Sequence, residues 1–568
     1  MKSFHIMKTD SFDSNCPLTK YAMRIQIYLT FALVLLAFTC SPALAQQSST
    51  AKRQKLLSPD KIVNDYLKAI GGKKRVAAIK DATYEWNLID DNAMLRGPGT
   101  VISRIKTPAS THMIVNLTDK QEYTQNGTSR NADATQPMIL ESGANARSAW
   151  AKDPTGSLRT FTDSMAHTAK LQSILDSTHL LDYKKSKVLA RTVGVDDSFG
   201  EPAYKVEFSL RNGARLLYWF SVSGKLLLAT EDLALEARKT FSYYKEVNGL
   251  LEPHQLRWSY KHRGDYVDTM VWSLQRVRYN TGLSDSLFDP PTSEKIDVGA
   301  ILKEIEVNQE QVDERVGDYT YTEKRTERKI NDKGEVTEET ISLFEVYPVP
   351  GANDVRKLIS ENGVMLSPEK ASQEEKRVTE ELEKAQRGRA SSTEKRRRDK
   401  LKGKRDKSND DDLGVADFLR VVELVSPRRE KLRERDAIVF DFRPRTDYKA
   451  KNRVESIVSK LAGVMWIDPL DKQVIRLEAR FMDSYKMGGG LLASVSPGTA
   501  LVFEQKRIDD GVWLPVYTQA NISARVLLFK SINVNVVQEF SNYRRFNSNV
   551  DDYELTSPDE KNSPPPSP

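Results

Sequence analysis

The stretch LLYWFSVSGKLLLATEDL at residues 216–233 sets Trp219 in an apolar strand, breaks at a turn carrying Lys225 and resumes with alternating apolar residues. Residues 463–481, GVMWIDPLDKQVIRLEARF, repeat the design with Trp466 and Lys472. Two apolar runs around a short polar turn read as a β-hairpin. A hairpin written twice in one chain reads as a duplicated domain, and 568 residues exceed what one hydrophobic core usually supports.

The segments around the two hairpins follow one order. SPDKIVNDYLKAIGG, from Ser58, predicts a helix with Ser58 as cap, Pro59 in the first turn, an apolar stripe of Ile62, Val63, Tyr66, Leu67 and Ile70, and Gly71 and Gly72 at its end. From Ala82 to Tyr123 the apolar period changes to two, which predicts antiparallel strands. A helical interval follows from Thr162 to Tyr183, and then strands through Tyr279. Prolines in DPPTSEK (Asp289 to Lys295) mark a boundary, because proline is excluded from a central strand. The order then restarts with a helix carrying Val298, Ile301, Leu302 and Ile305 on one face, a strand pair around NDKGE, a helical interval DFLRVVELV (Asp417 to Val425), and strands from Ala437 to Phe546.

Charged residues make up 29% of the chain, which is high for a compact protein and points to extended charged segments. The insert at residues 369–412 and the tail at 548–568 supply them: the first reads as a solvated helix and linker, the second as disordered. Acidic and basic residues in the insert nearly balance, so no nucleic-acid partner is expected, although its basic run leaves peripheral contact with an anionic membrane open.

An apolar run from Ile27 to Phe38, with Arg24 before it and Ala43 and Ala45 after it, has the layout of a secretory signal peptide over residues 1–45, with Met23 a second candidate start. Cys40 follows Thr39 and Phe38, a poor lipobox. Cys16 and Cys40 are the only cysteines, so the exported chain carries neither a disulfide nor a thiolate nucleophile. The expected location is the periplasm or cell envelope of a bacterium.

No motif in the sequence carries a reaction. The histidines form no H-x-x-x-H pair, there is no G-x-S-x-G elbow, and MGGGLLASVSPG lacks the Lys-Ser/Thr of a phosphate loop. No catalytic residue, metal ligand or cofactor is therefore assigned. Seven tryptophans remain, most of them in strands. Packing into a core is the ordinary account; lining a greasy cavity within a curved sheet is the functional one.

The segments IVNDYLKAIGG, AWAKDPTGSLRTFT (Ala149 to Thr162), YWFSVSGKLLLATEDL, YYKEVNGLLEPHQLRW and SLFDPP resemble, in that order, outer-membrane lipoprotein-sorting (LolA-like) proteins. The match covers Ser58 to Pro291, and YTYTEKRTER, MWIDPLDKQVIRLEARF and WLPVYTQANI carry a more divergent copy. The resemblance implies an α+β, mainly antiparallel β fold: two LolA-like half-barrels at residues 58–291 and 296–547, each wrapped around lid helices. It also implies a cavity for lipid or lipoprotein acyl chains. Its lining candidates are Trp86, Trp219, Trp258 and Trp272 with lid residues Leu171, Ile174 and Leu175 in the first copy, and Trp466 with Phe418, Val421 and Val422 in the second. The expected function is non-enzymatic binding of such ligands. An envelope sensor or scaffold that meets protein partners through residues 369–412 is the alternative, and an undetected hydrolase a weaker one.

Overall fold

The computed structural model describes residues 56–545 except 91–98, 118–121, 126–127, 132–137, 293–295, 302, 306–307, 309–317, 333, 350–353, 402–417, 419–420, 488–492, 509–510 and 527–529. The expected signal peptide, the tail and the end of the insert lie outside the described residues. Helix α1 (Pro59–Ala69) starts where the sequence places it, with Ser58 Oγ accepting from the Lys61 N–H at 3.3 Å. Its inward stripe of Ile62, Val63 and Leu67 is at most 3% exposed, and burial of each such side chain contributes about 1.5–3 kcal/mol. Gly71 ends it at φ +128°, so close to the chain that a Cβ would lie 2.4 Å from the Gly249 carbonyl oxygen. Helix α2 (Lys73–Ala78) leads into the sheet.

The first sheet is a 13-stranded antiparallel array. Its strands are numbered with the intervening elements: β1 (Asp81–Asp90), β2 (Gly99–Lys106), β3 (Ser110–Leu117), a separate hairpin of β4 (Glu122–Gln125) and β5 (Thr128–Asn131), β6 (Met138–Ala144), β7 (Ala149–Lys152) and β8 (Leu158–Thr160). Helix α3 (Asp163–Ser177) follows, then β9 (Leu189–Asp196), β10 (Ala203–Ser209), β11 (Arg215–Ser221), β12 (Leu227–Asp232), β13 (Ala237–Val247), β14 (Leu250–His262) and β15 (Asp265–Tyr279). The order across the sheet is β8-β7-β6-β3-β2-β1-β15-β14-β13-β12-β11-β10-β9. First and last strands thus pair at the centre, and β8 and β9 form the two edges.

A second sheet follows the same plan with β16 (Tyr319–Ile330), β17 (Val336–Tyr347), β18 (Val355–Glu361) and β19 (Val364–Met365), then helix α4 (Pro368–Leu401). Next come β20 (Val422–Leu432), β21 (Arg435–Pro444), helix α5 (Arg453–Val458), β22 (Leu461–Ile467), β23 (Val474–Phe481), β24 (Tyr485–Met487), β25 (Ala493–Val495), β26 (Ala500–Arg507), β27 (Trp513–Val526) and β28 (Lys530–Arg545). Its order, β19-β18-β17-β16-β28-β27-β26-β23-β22-β21-β20, again pairs first and last strands, with four strands rather than six on the arm from β16, and β24 and β25 branch off β27. Neither sheet closes into a barrel.

The two hairpins read from the sequence share their geometry. Lys225 and Lys472 sit at φ +59° and +50°. Each donates its backbone N–H four residues back, to Ser221 and Asp468, and its ammonium to a carbonyl three residues back, on Val222 and Pro469. The register slips directly after Trp219 in one hairpin and directly after Trp466 in the other.

Three sequence expectations change. The interval Asp417 to Val425 is not a helix throughout: Phe418 and Val421 are helical, but Val422 begins β20, whose β-branched run pairs with β21. The helix expected from Thr162 to Tyr183 stops at Ser177, and His179, Leu180 and Asp182 then adopt positive φ. The charged insert is not wholly solvated: Val378, Leu382 and Ala385 of α4 pack on Tyr347, Val349 and Val355.

Candidate functional site

One face of the first sheet and helices α1 and α3 share a single apolar core. Leu171, Ile174 and Leu175, spaced i, i+3 and i+4, form the inward stripe of α3 and are at most 6% exposed. Above them, period-two alternation brings Trp86, Trp258 and Trp272 from β1, β14 and β15 together. Trp272 lies 6.2 Å from Trp86 and 5.7 Å from Trp258, centroid to centroid. Trp86 donates its indole N–H to Ser103 Oγ at 3.1 Å, and the Lys239 ammonium stands 4.4 Å over the Trp258 ring.

Titratable groups share this interior. The Glu252 carboxylate accepts from Tyr84 Oη at 3.2 Å and from Tyr279 Oη. Tyr84 Oη also lies 3.2 Å from His179 Nε2. Burial pushes Glu252 up to about 7 and His179 down to about 4. Asp176, in the last turn of α3, keeps exposed surface, yet desolvation holds its carboxyl above the ordinary range. Lys239 keeps part of its surface too, and desolvation lowers it.

Trp219 and Trp466 lie elsewhere. Along β11, Leu216, Tyr218 and Phe220 join the helix-facing core, while Leu217 and Trp219 turn to the opposite face and pack with Ala203, Ala229 and Phe199. Trp466 likewise turns away from Met465 and Ile467 and packs with Val439, Ile475 and Trp513. Both strands are buried on both faces, so each indole fills a small core behind its sheet. Phe418, Val421 and Val422 do reach the helix-facing core of the second sheet, which Phe440, Phe442 and Ile305 fill, all of them fully buried; Phe418 meets Phe442 edge-on at 5.2 Å.

The junction of the two sheets was not read from the sequence. Arg428, with no exposed side-chain surface, bonds Glu430, Asp441 and Thr160 of β8, and Glu430 in turn accepts from the Thr160 N–H at 2.6 Å. Ser148 donates to Asp441 at 2.6 Å. Arg476 joins Glu478 and Glu504 to Asp163 at the start of α3. Beside this network lies a cleft of about 1150 Å³, lined from both sheets by polar groups such as Asp163, His167, Arg433 and Glu504. Burial pushes His167 down to about 4. None of the residues named from the sequence lines the cleft. One signal for the junction was present: Arg476, Glu478 and Arg480, each two apart in β23, put three charged side chains on one face of the strand.

Among the described residues no group of three or more His, Cys, Asp or Glu side chains is placed to hold a metal ion, and no helix is long and apolar enough to cross a membrane.

No family model matches the chain, and no curated protein matches it. Solved structures do. A putative outer membrane lipoprotein-sorting protein domain from Vibrio parahaemolyticus aligns at 14% identity over 40% of this chain and 95% of its own, with a TM-score of 0.27. A LolA superfamily protein from Nitrosomonas europaea aligns at 10% identity over 41% of this chain and 98% of its own, also at 0.27. The Pseudomonas aeruginosa MucA/MucB complex aligns at 8% identity over 86% of this chain and 99% of its own, at 0.16. The chain is thus similar to LolA-like, lipoprotein-sorting proteins; likeness at this level concerns the fold and says nothing of ligand.

Proposed function

We propose that the protein is an exported, non-enzymatic binding protein of the bacterial envelope that holds a lipid, a lipoprotein acyl chain or another hydrophobic ligand under its first sheet. The supporting observation is the cluster of Trp86, Trp258 and Trp272 on the apolar, helix-facing side of the first sheet, with the Lys239 ammonium over the Trp258 ring. An apolar wall with a few polar groups suits a ligand with a greasy body and a small polar part. The boundaries 58–291 and 296–547 belong to this reading as two copies of one domain, the first carrying the site, as does cleavage after residue 45. Protein purified from its native envelope is expected to release lipid on solvent extraction and, once stripped, to bind a fluorescent fatty acid with an affinity that Trp258→Ala lowers. No lipid by mass spectrometry and no probe binding would sink the proposal.

A second reading, as an envelope stress sensor or interaction scaffold, draws on the junction. Buried ion networks around Arg428 and Arg476 hold the sheets together beside a polar cleft, an arrangement suited to presenting one fixed surface to a protein partner or a membrane. On this reading, deletion of residues 369–412 abolishes partner pull-down and leaves lipid binding intact; an unchanged pull-down counts against it.

A further inference from the structure

The cleft at the junction has a floor built in register. Across four neighbouring strands of the second sheet, Glu504 of β26 pairs with Tyr517 of β27, Tyr517 with Glu539 of β28, and Glu539 with Lys324 of β16. Neighbouring strands lie about 4.8 Å apart, so these four side chains form one row on one face. Tyr517 therefore stands between two carboxylates, and each is already matched: Glu504 by Arg433 and Arg476 at 2.5 and 2.6 Å, Glu539 by Lys324 at 2.8 Å. The first half supplies the opposite wall with the opening turns of α3, the turn at Asn212 and Gly213, and Leu233.

Charge does not select the occupant. Asp163, Glu504 and Glu539 line the cleft with Arg215, Lys324 and Arg433, three of each sign, and His167 is neutral above about pH 4. What stays unsatisfied is neutral. Thr168 of α3, 3% exposed, makes no side-chain hydrogen bond among the described residues, and its hydroxyl oxygen is not sealed from the cleft it lines. Gln519 spends its amide oxygen on Tyr517 Oη at 3.1 Å, and Asn212 spends its own on the Ala214 N–H at 3.2 Å, so both keep an NH2 group without an acceptor among the described residues. A hydrocarbon chain would strip water from these groups and return nothing. A peptide would lack a strand to extend, because β16, β17, β26, β27 and β28 are all paired on both sides.

Separately from any ligand under the first sheet, we propose that the cleft binds a neutral oligosaccharide, one sugar ring lying against Tyr517 while its hydroxyls meet Thr168, Gln519 and Asn212. A sugar hydroxyl both donates and accepts, so one ligand satisfies the Thr168 hydroxyl and the two NH2 groups together. The Tyr517 ring is apolar with a polar tip, which suits the C–H face of a sugar edged by hydroxyls. At about 1150 Å³ the cleft exceeds the range of drug-sized pockets, about 300–1,000 Å³, so a short chain of sugars fits it better than a single unit.

The test is calorimetric titration of the full chain with chitotetraose and maltotetraose, both neutral, against tetragalacturonate, an acidic tetramer. At least one neutral tetramer is expected to bind with a Kd of about 1 mM or tighter, and more tightly than the acidic one. Thr168→Val removes an unpaired buried hydroxyl, so it should leave the melting temperature of the free protein unchanged or higher while weakening the sugar about fivefold, the scale of one hydrogen bond. A purely structural Thr168 would lower the melting temperature and leave affinity alone. Tyr517→Leu should weaken binding as well, and in the unmodified protein the His167 imidazole resonance should shift as the tetramer is added, a readout independent of how well either variant folds. Binding of neither neutral tetramer overturns the proposal, as does an affinity unmoved in both variants or an imidazole resonance that stays still. Equal or tighter binding of the acidic tetramer overturns the neutral assignment. An unstructured peptide that binds where the sugars do not, and that Tyr517→Leu weakens, overturns the proposal in favour of a protein partner. Binding of a fluorescent fatty acid reads the first site and is expected to be the same in both variants.

Discussion

Under the first sheet, Trp86, Trp258 and Trp272 share the interior with Glu252, His179, Asp176 and Lys239; under the second, Phe418, Phe440, Phe442 and Met465 close against Ile301 and Ile305. Both sheets pair their first and last strands and share a seven-strand arm. What differs is whether ionisable groups are placed among the hydrocarbon. A carboxyl or ammonium resists complete burial because the charged form loses its hydration, so the first interior carries a desolvation cost that the second, packed with phenyl rings, does not. Strand order alone does not make a binding protein.

The largest expected effect tests the filled interior. Phe440→Ala should cost about 3–5 kcal/mol, the range for truncating a buried aromatic, and a thermal melt measures it. Trp258→Ala, at a half-exposed wall position, should cost distinctly less stability and act on ligand affinity instead. A tolerated Phe440→Ala would mean that the second interior is not tightly packed, and the contrast fails.

A smaller effect comes from pH. The folded pKa of Glu252, about 7, lies above its ordinary 4.5, so the native state holds a proton that the unfolded state has released between these values. The Glu252 contribution is therefore fully present below about pH 4.5 and lost as pH rises to 7, a change of about 3 kcal/mol. His179 has the opposite sign: neutral in the fold down to about 4, it makes stability rise with pH between about 4 and 6.5. The two slopes partly cancel in the native protein. Melts of native protein and Glu252→Gln from pH 4.5 to 7.5 should separate them, with the native protein losing ground to the variant as pH rises. Parallel curves would remove the ionisable interior from the comparison.

The smallest effect sharpens the likeness between the halves. Lys225→Gly and Lys472→Gly each relieve a left-handed backbone and add freedom to the unfolded chain, two effects of about 1 kcal/mol or less and opposite sign. Urea titrations of the two variants should give stability changes of the same sign that agree within about 0.5 kcal/mol. Unequal values would mean that the hairpins match in shape but not in energetics.

Much of the fold was legible because its signals are local. The Ser58 cap, the Gly71–Gly72 stop and the two Lys turns each depend on a few adjacent residues. The facing of Trp219 was not legible, since β11 is buried on both sides and alternation cannot say which face is inward. The run Val421 to Val425 reads equally well as helix or strand, and pairing with β21 decided it. At the candidate site, Trp86, Trp258 and Trp272 were found as inward strand residues. Glu252, His179 and Lys239 were not, because nothing in their neighbouring residues marks them as sharing an interior. The junction joins Thr160 to Arg428 across 268 residues, a distance over which no periodicity reaches.

The pairing of β1 with β15, and of β16 with β28, has a practical outcome. With first and last strands at the centre, the stretch holding α3 or α4 runs from one edge of its sheet to the other, from β8 to β9 and from β19 to β20. A break in either stretch divides that sheet into two runs of neighbouring strands, joined by the single seam of hydrogen bonds at the centre. Each half of the molecule thus carries a built-in site for two-piece complementation, and α4 marks one where 34 residues already stand.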